Sequence, residues 1–393
     1  MNSDPFQLHI SNTFMGNGAV ENVGELVKEL GGKKALIVTD AGIAEAGLVD
    51  HVKQSLEKKG IESGTFDGCK PDALISVIKE CAQFAAKGGY DLLIGLGGGS
   101  VMDTTKVVRI AAGADDIDNV DIHQYFSGVP GPGLPMILIA TTAGSGAEMS
   151  RAAVVTVDAP GGEVLKRSIV NDYLLPDAVI VDPLMATHLP SNITADTGLD
   201  ALAHALEGYT NVRANVVSDM FAEKAIMLVS DNLRGAHFKG NLNPEARYNM
   251  SIAASLAILA FNTGGGPTLT HGIGHSLQAK AHCTHGTACS IVLPHIMAFN
   301  MPANLPRFAR IAELMGEKVD GLPCRDAAQR AADAVKKLSR DVGMPQGLRD
   351  VDLKKETIPE IVDILFDVNA RTLGNNPRDC SKEDALKILE AAW

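Results

Sequence analysis

Residues 91–106 read DLLIGLGGGSVMDTTK. Asp91–Leu96 is an apolar run of the length and type expected for a strand buried on both faces. Gly97, Gly98, Gly99 and Ser100 follow, and Val101–Ala112 has helical spacing. A strand that feeds a glycine turn and then a helix leaves free backbone N–H groups at the positive end of a helix dipole. A phosphate can sit there. Glycine suits the turn because a Cβ would hold a pyrophosphate away from the backbone. The stretch therefore predicts an α/β domain with a phosphate-bearing cofactor. It departs from the common G-x-G-x-x-G fingerprint, since Ser100 stands where the third glycine would fall.

Similar strands flank it. Lys34–Thr39 (KALIVT), Ile61–Phe66, Met136–Ala140 (MILIA) and Ala178–Val181 (AVIV) read as strands, with helical stretches up to Lys59 and over Leu74–Lys87. Apolar strands alternating with helices predict a parallel sheet covered on both faces. Asp40 directly follows the first of these strands. If that strand lies beside 91–96, Asp40 reaches the same sheet edge. It could then accept a hydrogen bond from a ribose 2′-OH and repel a 2′-phosphate, favouring NAD over NADP. A second small-residue loop, Thr141-Thr142-Ala143-Gly144-Ser145-Gly146-Ala147-Glu148, follows Met136–Ala140 and offers more donors at that edge. Two such loops suggest a long ligand, a dinucleotide.

After Asp182-Pro183 the pattern turns helical, with runs at 195–209, 217–232, 244–261, 326–342, 358–369 and 382–392. Ser191 or Asn192 is expected to cap the first, and Gly343 and Pro345 to end the run before them. We expect a dinucleotide-binding α/β domain over 1–185 and an all-α metal-binding, catalytic domain over 186–393.

Composition narrows the functions. The chain has 393 residues and a formal charge of −12, with 46% hydrophobic and 4% aromatic residues. Those fractions are globular, and the acidity argues against nucleic acid or an anionic membrane as partner. Six scattered cysteines form no CxxC pair, which argues against a disulfide framework or a thiolate zinc site. With no signal-peptide pattern and no long apolar run, the sequence reads as a soluble, reduced, cytoplasmic protein.

The helical half carries a second constellation. Asp200 and His204 are four residues apart, as are His271 and His275, and His282 and His285 follow. The i, i+4 spacing puts each pair on one helix face. Aspartate and imidazole suit Fe(II), Zn(II) or another divalent ion. One continuous helix would hold His271 and His285 about 21 Å apart. Ligands of one ion must lie within about 4 Å of each other. Either these two do not share an ion, or the chain turns back between Ala281 and Thr284. A metal beside a nicotinamide implies Lewis-acid polarisation of an alcohol or carbonyl oxygen coupled to hydride transfer.

On these residues the sequence resembles the iron-containing (group III) alcohol dehydrogenase family over nearly its whole length. The matching segments include KKALIVTD (33–40), GGGSVMDTTK (97–106), TTAGSGAE (141–148), TGLDALAHALEGY (197–209), HGIGHSLQA (271–279) and LPHIMAFN (293–300). The resemblance implies a dehydroquinate synthase-like fold and a metal-dependent NAD(H) alcohol dehydrogenase or aldehyde reductase. It implies Asp200, His204, His271 and His285 as ligands of one divalent metal, Fe(II) before Zn(II) or Mn(II). It makes His275 the catalytic histidine beside the nicotinamide. Asp40, Gly97, Gly98, Gly99, Ser100, Asp103, Thr141, Thr142, Ser145 and Lys166 become the cofactor contacts. The expected partner is a small alcohol or aldehyde, and the expected assembly a homo-oligomer, a dimer or a multiple of dimers.

Some positions depart from the family pattern. Gln278 replaces the glycine of H-x-L-G, Lys280, Ala281 and His282 replace apolar or aromatic residues, and Lys70-Pro71-Asp72 replaces a common Asn-Pro. Lys280, His282 and Arg151 would make a pocket cationic and suited to a short anionic aldehyde, such as sulfoacetaldehyde or a semialdehyde. Alternatives are a hydroxyacid–oxoacid transhydrogenase, a maleylacetate reductase-like enzyme, or a non-catalytic NAD- and metal-binding module.

Overall fold

The computed structural model describes residues 4–158, 164–187, 189–281 and 283–393. The chain forms two compact units. One comprises His9–Thr142 and Gly146–Thr187, and the other Met1–Leu8, Ala143–Ser145 and His188–Trp393.

Among the described residues the first unit has nine strands: β1 Asn12–Met15, β2 Lys34–Asp40, β3 Glu62–Cys69, β4 Ala73–Leu74, β5 Leu92–Gly97, β6 Met136–Ala140, β7 Ala152–Asp158, β8 Val164–Val170 and β9 Ala178–Val181. Its α-helices are α1 Val23–Glu29, α2 Ala41–Glu45, α3 Leu48–Lys58, α4 Ile75–Lys87 and α5 Gly99–Ala112. Six strands form one parallel sheet in the order β1-β9-β6-β5-β2-β3. β2, β5 and β6 are apolar throughout their centres, and all of β5 and β6 is buried. One face packs on Val23, Val27, Val52 and Leu56, the other on Ile78, Cys81, Val107 and Val108.

The order places β3 on one side of β2 and β5 on the other, so the winding reverses between β2 and β5. In open α/β sheets the carboxyl ends of strands at such a reversal form the ligand crevice. Val38 pairs with Gly95 in parallel register, so Asp40 and Gly97 end neighbouring strands at one edge. A separate sheet, β4-β7-β8, has β7 and β8 antiparallel. The sequence reading placed no strands over 152–170.

The second unit is helical, and among the described residues the last strand ends at Val181. Its α-helices are α6 Ser191–Thr210, α7 Val216–Lys239, α8 Pro244–Thr263, α9 Leu269–Gln278, α10 His285–Asn300, α11 Leu305–Leu314, α12 Cys324–Asp341, α13 Ile358–Asp367 and α14 Lys382–Ala391. The cap expected of Ser191 or Asn192 does not form. Pro190 precedes α6 in an extended conformation, and both residues lie inside the helix. Pro190 supplies its carbonyl to Thr194 N at 2.9 Å, so the proline ring sets the entry where a side-chain cap was expected. α12 does end as expected, with Gly343 at φ +74°.

Small residues bring α6 and α8 together. Ala201, Ala205, Ala253, Ala257 and Ala260 are fully buried. At Gly208 a Cβ would meet Ala260 C at 2.6 Å and Phe261 N at 2.7 Å. Backbone therefore lies against backbone at this crossing, and the close approach sets Phe261 beside the acidic and histidine face of α6.

Candidate cofactor and metal sites

In the first unit the glycine turn sits at the β2/β5 edge. Gly97 ends β5, Gly98 precedes α5 in an extended conformation, and the first turn of α5 has no side-chain cap. A Cβ on Gly97 would meet Val101 at 2.6 Å, and one on Gly98 would meet Thr142 at 3.0 Å. The turn is thus closed to larger residues, and its amides are left for an anion. Thr141 N donates to Gly97 O at 3.0 Å, and among the described residues Thr141 Oγ1 is buried without a hydrogen-bond partner. This fits a dinucleotide pyrophosphate with a polar group nearby.

The other expected cofactor residues have varied roles. Asp40 Oδ1 accepts from Ile43 N at 3.0 Å, capping α2. A carboxylate has a second oxygen for a ribose hydroxyl. Ser100 Oγ accepts from Asp72 N at 3.0 Å, and Lys166 pairs with Asp72 Oδ1 at 2.7 Å. Asp103 Oδ2 accepts from Val154 N at 2.9 Å, and Oδ1 is 3.5 Å from Lys106 Nζ. Burial raises the Asp103 carboxyl and lowers the fully buried Lys106 ammonium. Their arrangement ties α5 to β7. Ser145 groups with the second unit, whereas Thr141 and Thr142 group with the first.

In the second unit α6 presents Asp200, His204 and Glu207 on one face, at i, i+4 and i+7. α9 presents His271 and His275, and α10 begins at His285. The reversal between α9 and α10 is present: Ala281 N bonds to Leu277 O at 2.7 Å, and α10 starts after Thr284. His282 lies outside the described residues. Asp196 fixes the start of α10, accepting from the hydroxyls of Thr284 and Thr287. A Cβ on Gly286 would meet Asp196 O at 2.1 Å, so only glycine fits this approach.

The turn brings two histidines to one carboxylate oxygen. Asp200 Oδ1 is 3.7 Å from His271 Nε2 and 3.6 Å from His285 Nε2. His204 Nδ1 is 4.0 Å from Asp200 Oδ2, and its ring stacks on His271 with centroids 4.5 Å apart. Asp200, His271, His285 and Cys289 each offer one donor atom, and these lie within 4.8 Å of one another. His204 stands beside that group. His275 stacks on His285 at 5.0 Å between centroids. Phe261 meets the His204 ring edge-on at 4.8 Å.

Asp200, His204 and His271 are buried, and among the described residues His204 Nδ1 and His271 Nε2 have no hydrogen-bond partner. Buried polar atoms of this kind cost free energy unless something satisfies them, and a divalent cation does. Burial pushes His204 well below the usual imidazole range, so it stays neutral, as a ligand must. Burial also lowers His271, but the Glu207 carboxylate outweighs it and the net shift is upward. The residues present therefore fit a divalent ion.

The sequence reading missed three neighbours. Glu207 Oε2 pairs with His271 Nδ1, while Oε1 accepts from Thr268 N at 2.9 Å and Thr268 Oγ1 at 2.5 Å. Its signal was available, since it continues the Asp200–His204 face. Cys289 Sγ lies 3.9 Å from His285 Nε2, one turn along α10. Phe261 had no signal in the sequence, because the α6–α8 crossing places it. Of the three cationic candidates, the two that are described are both engaged in ion pairs. Lys280 pairs with Glu360 at 2.8 Å and Arg151 with Asp172 at 2.6 Å.

Known proteins bear on both units. Residues 11–183 match the family described as iron-containing alcohol dehydrogenase, and residues 194–393 match the C-terminal part of the Fe-containing alcohol dehydrogenase family. An NAD-dependent methanol dehydrogenase of Bacillus methanolicus is 35% identical, over 96% of this chain and 97% of the relative. A sulfoacetaldehyde reductase of Bilophila wadsworthia is 36% identical, over 96% of each chain. The solved structure of a 1,3-propanediol oxidoreductase superposes with a TM-score of 0.93 at 36% identity, covering 99% of this chain and 100% of that one. Among the described residues no helix is long and apolar enough to cross a membrane.

Proposed function

This chain belongs to the iron-containing alcohol dehydrogenase family and is an NAD-dependent oxidoreductase of alcohols and aldehydes, and we propose that its substrate is a short primary alcohol or the matching aldehyde. One observation carries the reading of the site: Asp200 Oδ1 within 3.7 Å of the Nε2 atoms of both His271 and His285. In this reading Asp200, His204, His271 and His285 hold one divalent ion, Fe(II) in first place. When bound, the ion supplies a Lewis acid that favours the alkoxide form of the substrate.

The chain's own residues do the rest. Asp200 contributes negative charge beside the imidazoles of His204, His271 and His285, a donor set that suits a dication. Glu207 holds the His271 ring. Phe261 supplies an apolar wall against His204, which excludes water and strengthens local electrostatics. His275, stacked on His285, is the group we assign to move the alcohol proton toward solvent. On the other unit, Gly97, Gly98, Gly99, Ser100, Thr141 and Thr142 seat the pyrophosphate, and Asp40 takes the adenosine ribose. Asp103 and Lys166 shape this region through Val154 and Asp72.

The paired states of Lys280 and Arg151 favour an uncharged substrate. The likeness to the sulfoacetaldehyde reductase supports a second reading, an anionic short aldehyde. A panel of methanol, propanediol, propanal and sulfoacetaldehyde, followed by NADH change with Fe(II) or Zn(II) restored, separates the two. Uncharged substrates turning over faster supports the first reading, and a preference for the sulfonate overturns it. Transfer between two substrates without free NADH would point to a transhydrogenase. Binding of NAD and metal with no turnover would leave a binding module.

A further inference from the structure

Gln278 ends α9 and His285 begins α10, at either side of the chain reversal. The Gln278 side chain spans it. Its Nε2 donates to Cys283 O at 3.3 Å, and its Oε1 lies 3.0 Å from His285 Nδ1. A backbone carbonyl can only accept, so the amide must turn its NH2 toward Cys283 and its oxygen toward His285. An amide oxygen can only accept, so His285 must donate from Nδ1. A neutral imidazole that donates from Nδ1 keeps its lone pair at Nε2. Nε2 is the atom 3.6 Å from Asp200 Oδ1.

His271 is held in the same sense by a different group. Glu207 engages its Nδ1, and its Nε2 lies 3.7 Å from the same Asp200 oxygen. The two rings are thus aimed at one point by two outer acceptors, one anionic and one neutral. His285 has the greater need of such a tether, because its side chain is 29% exposed against 4% for His271.

We propose that Gln278 is a positioning residue: it fixes the tautomer and orientation of His285 and locks the α9–α10 reversal that delivers this histidine to the metal. A glycine at this position, as in the family pattern H-x-L-G, has no side chain for the task. The proposal rests on the reading that His285 binds a divalent ion.

The test measures metal release from the Zn(II)-loaded protein to an excess of chelator, for wild type, Gln278→Ala and Gln278→Glu. Outer acceptors of metal-bound histidines typically contribute about 10–100-fold in affinity. Gln278→Ala should release metal at least about tenfold faster at unchanged stoichiometry, with the d–d spectrum of its Co(II) form shifted. Gln278→Glu, which keeps an acceptor for Nδ1, should restore slow release. Circular dichroism and thermal unfolding show whether each variant is folded. Equal release rates from wild type and Gln278→Ala overturn this proposal alone. Fast release from a folded Gln278→Glu overturns it too, because the acceptor would then be irrelevant. A wild-type protein that takes up no divalent ion overturns the metal reading and this inference with it.

Discussion

Glu207 on α6 and His271 on α9 meet carboxylate to imidazole, and that contact decides which ring nitrogen faces Asp200. Glu207 is buried, and its second oxygen is occupied by Thr268. The same oxygen also accepts from His271 N at 3.3 Å, so the carboxylate is held from several sides. Replacing it with glutamine keeps the size and removes the charge. Glu207→Gln should weaken metal binding about 10–100-fold, read by titrating Zn(II) into the metal-free protein. Unchanged affinity would reduce Glu207 to a packing group.

The α6–α8 crossing gives a stability prediction. A Cβ at Gly208 would meet three backbone atoms of Ala260 and Phe261 at 2.6–2.8 Å. Neither backbone can yield without shifting a buried helix. Gly208→Ala should destabilise by about 1–3 kcal/mol through overpacking, against the gain in helix propensity that alanine brings elsewhere. Denaturant unfolding measures it, and a stabilised variant would contradict the close approach.

Much of the fold can be read from short runs. KALIVTD, LLIGLG, MILIA and AVIV are apolar because both sheet faces are covered, and each is a strand in the main sheet. AAVVTVD is just as rich in β-branched residues, yet its strand escaped notice because it lies in a separate sheet outside the βα alternation. At the candidate metal site the i, i+4 pairs are legible from spacing, while ligand distances leave either no shared ion or a turn before His285, and only the family resemblance implies the turn. Glu207 stood on the same helix face but carried no metal-ligand spacing of its own. Phe261 reaches the site through packing between helices, which no local pattern encodes, whereas Cys289 follows His285 by one turn of α10. Lys280 and Arg151 read as free cations in the sequence, because their partners Glu360 and Asp172 are distant along the chain.

Glu223 gives a pH prediction away from the metal. It accepts from Arg310 at 3.0 Å and from Tyr209 OH at 3.0 Å. Burial pushes its carboxyl up, but the Arg310 and Tyr209 hydrogen bonds outweigh it and the net shift is downward from 4.5. A lowered folded-state pKa stabilises the protein above the unfolded value, and that contribution is lost as pH falls through the folded value. Wild type should be more stable than Glu223→Gln at pH 7, and the gap should close as pH drops below about 4.5. Unfolding curves at several pH values check the sign. A gap that widens in acid would contradict it.

Asp40 should set cofactor choice. It stands at the carboxyl end of β2, beside β5 and its glycine turn. A carboxylate there repels the extra phosphate of NADPH. Asp40→Ser keeps a cap for α2 and removes the charge. Its preference for NADH over NADPH in kcat/KM should fall by at least about tenfold. An unchanged preference would leave Asp40 as a helix cap only.

In the proposed reading, Asp200, His204, His271 and His285 hold one divalent ion on which turnover depends. Metal titration of chelator-treated wild type, His204→Ala and Cys289→Ala, with NADH-linked aldehyde reduction followed at each addition, measures this dependence. Wild type and Cys289→Ala should each bind one ion per chain, with activity rising in step with occupancy, and His204→Ala should lose both. Full turnover without metal, or an ion retained by His204→Ala and lost from Cys289→Ala, would contradict it.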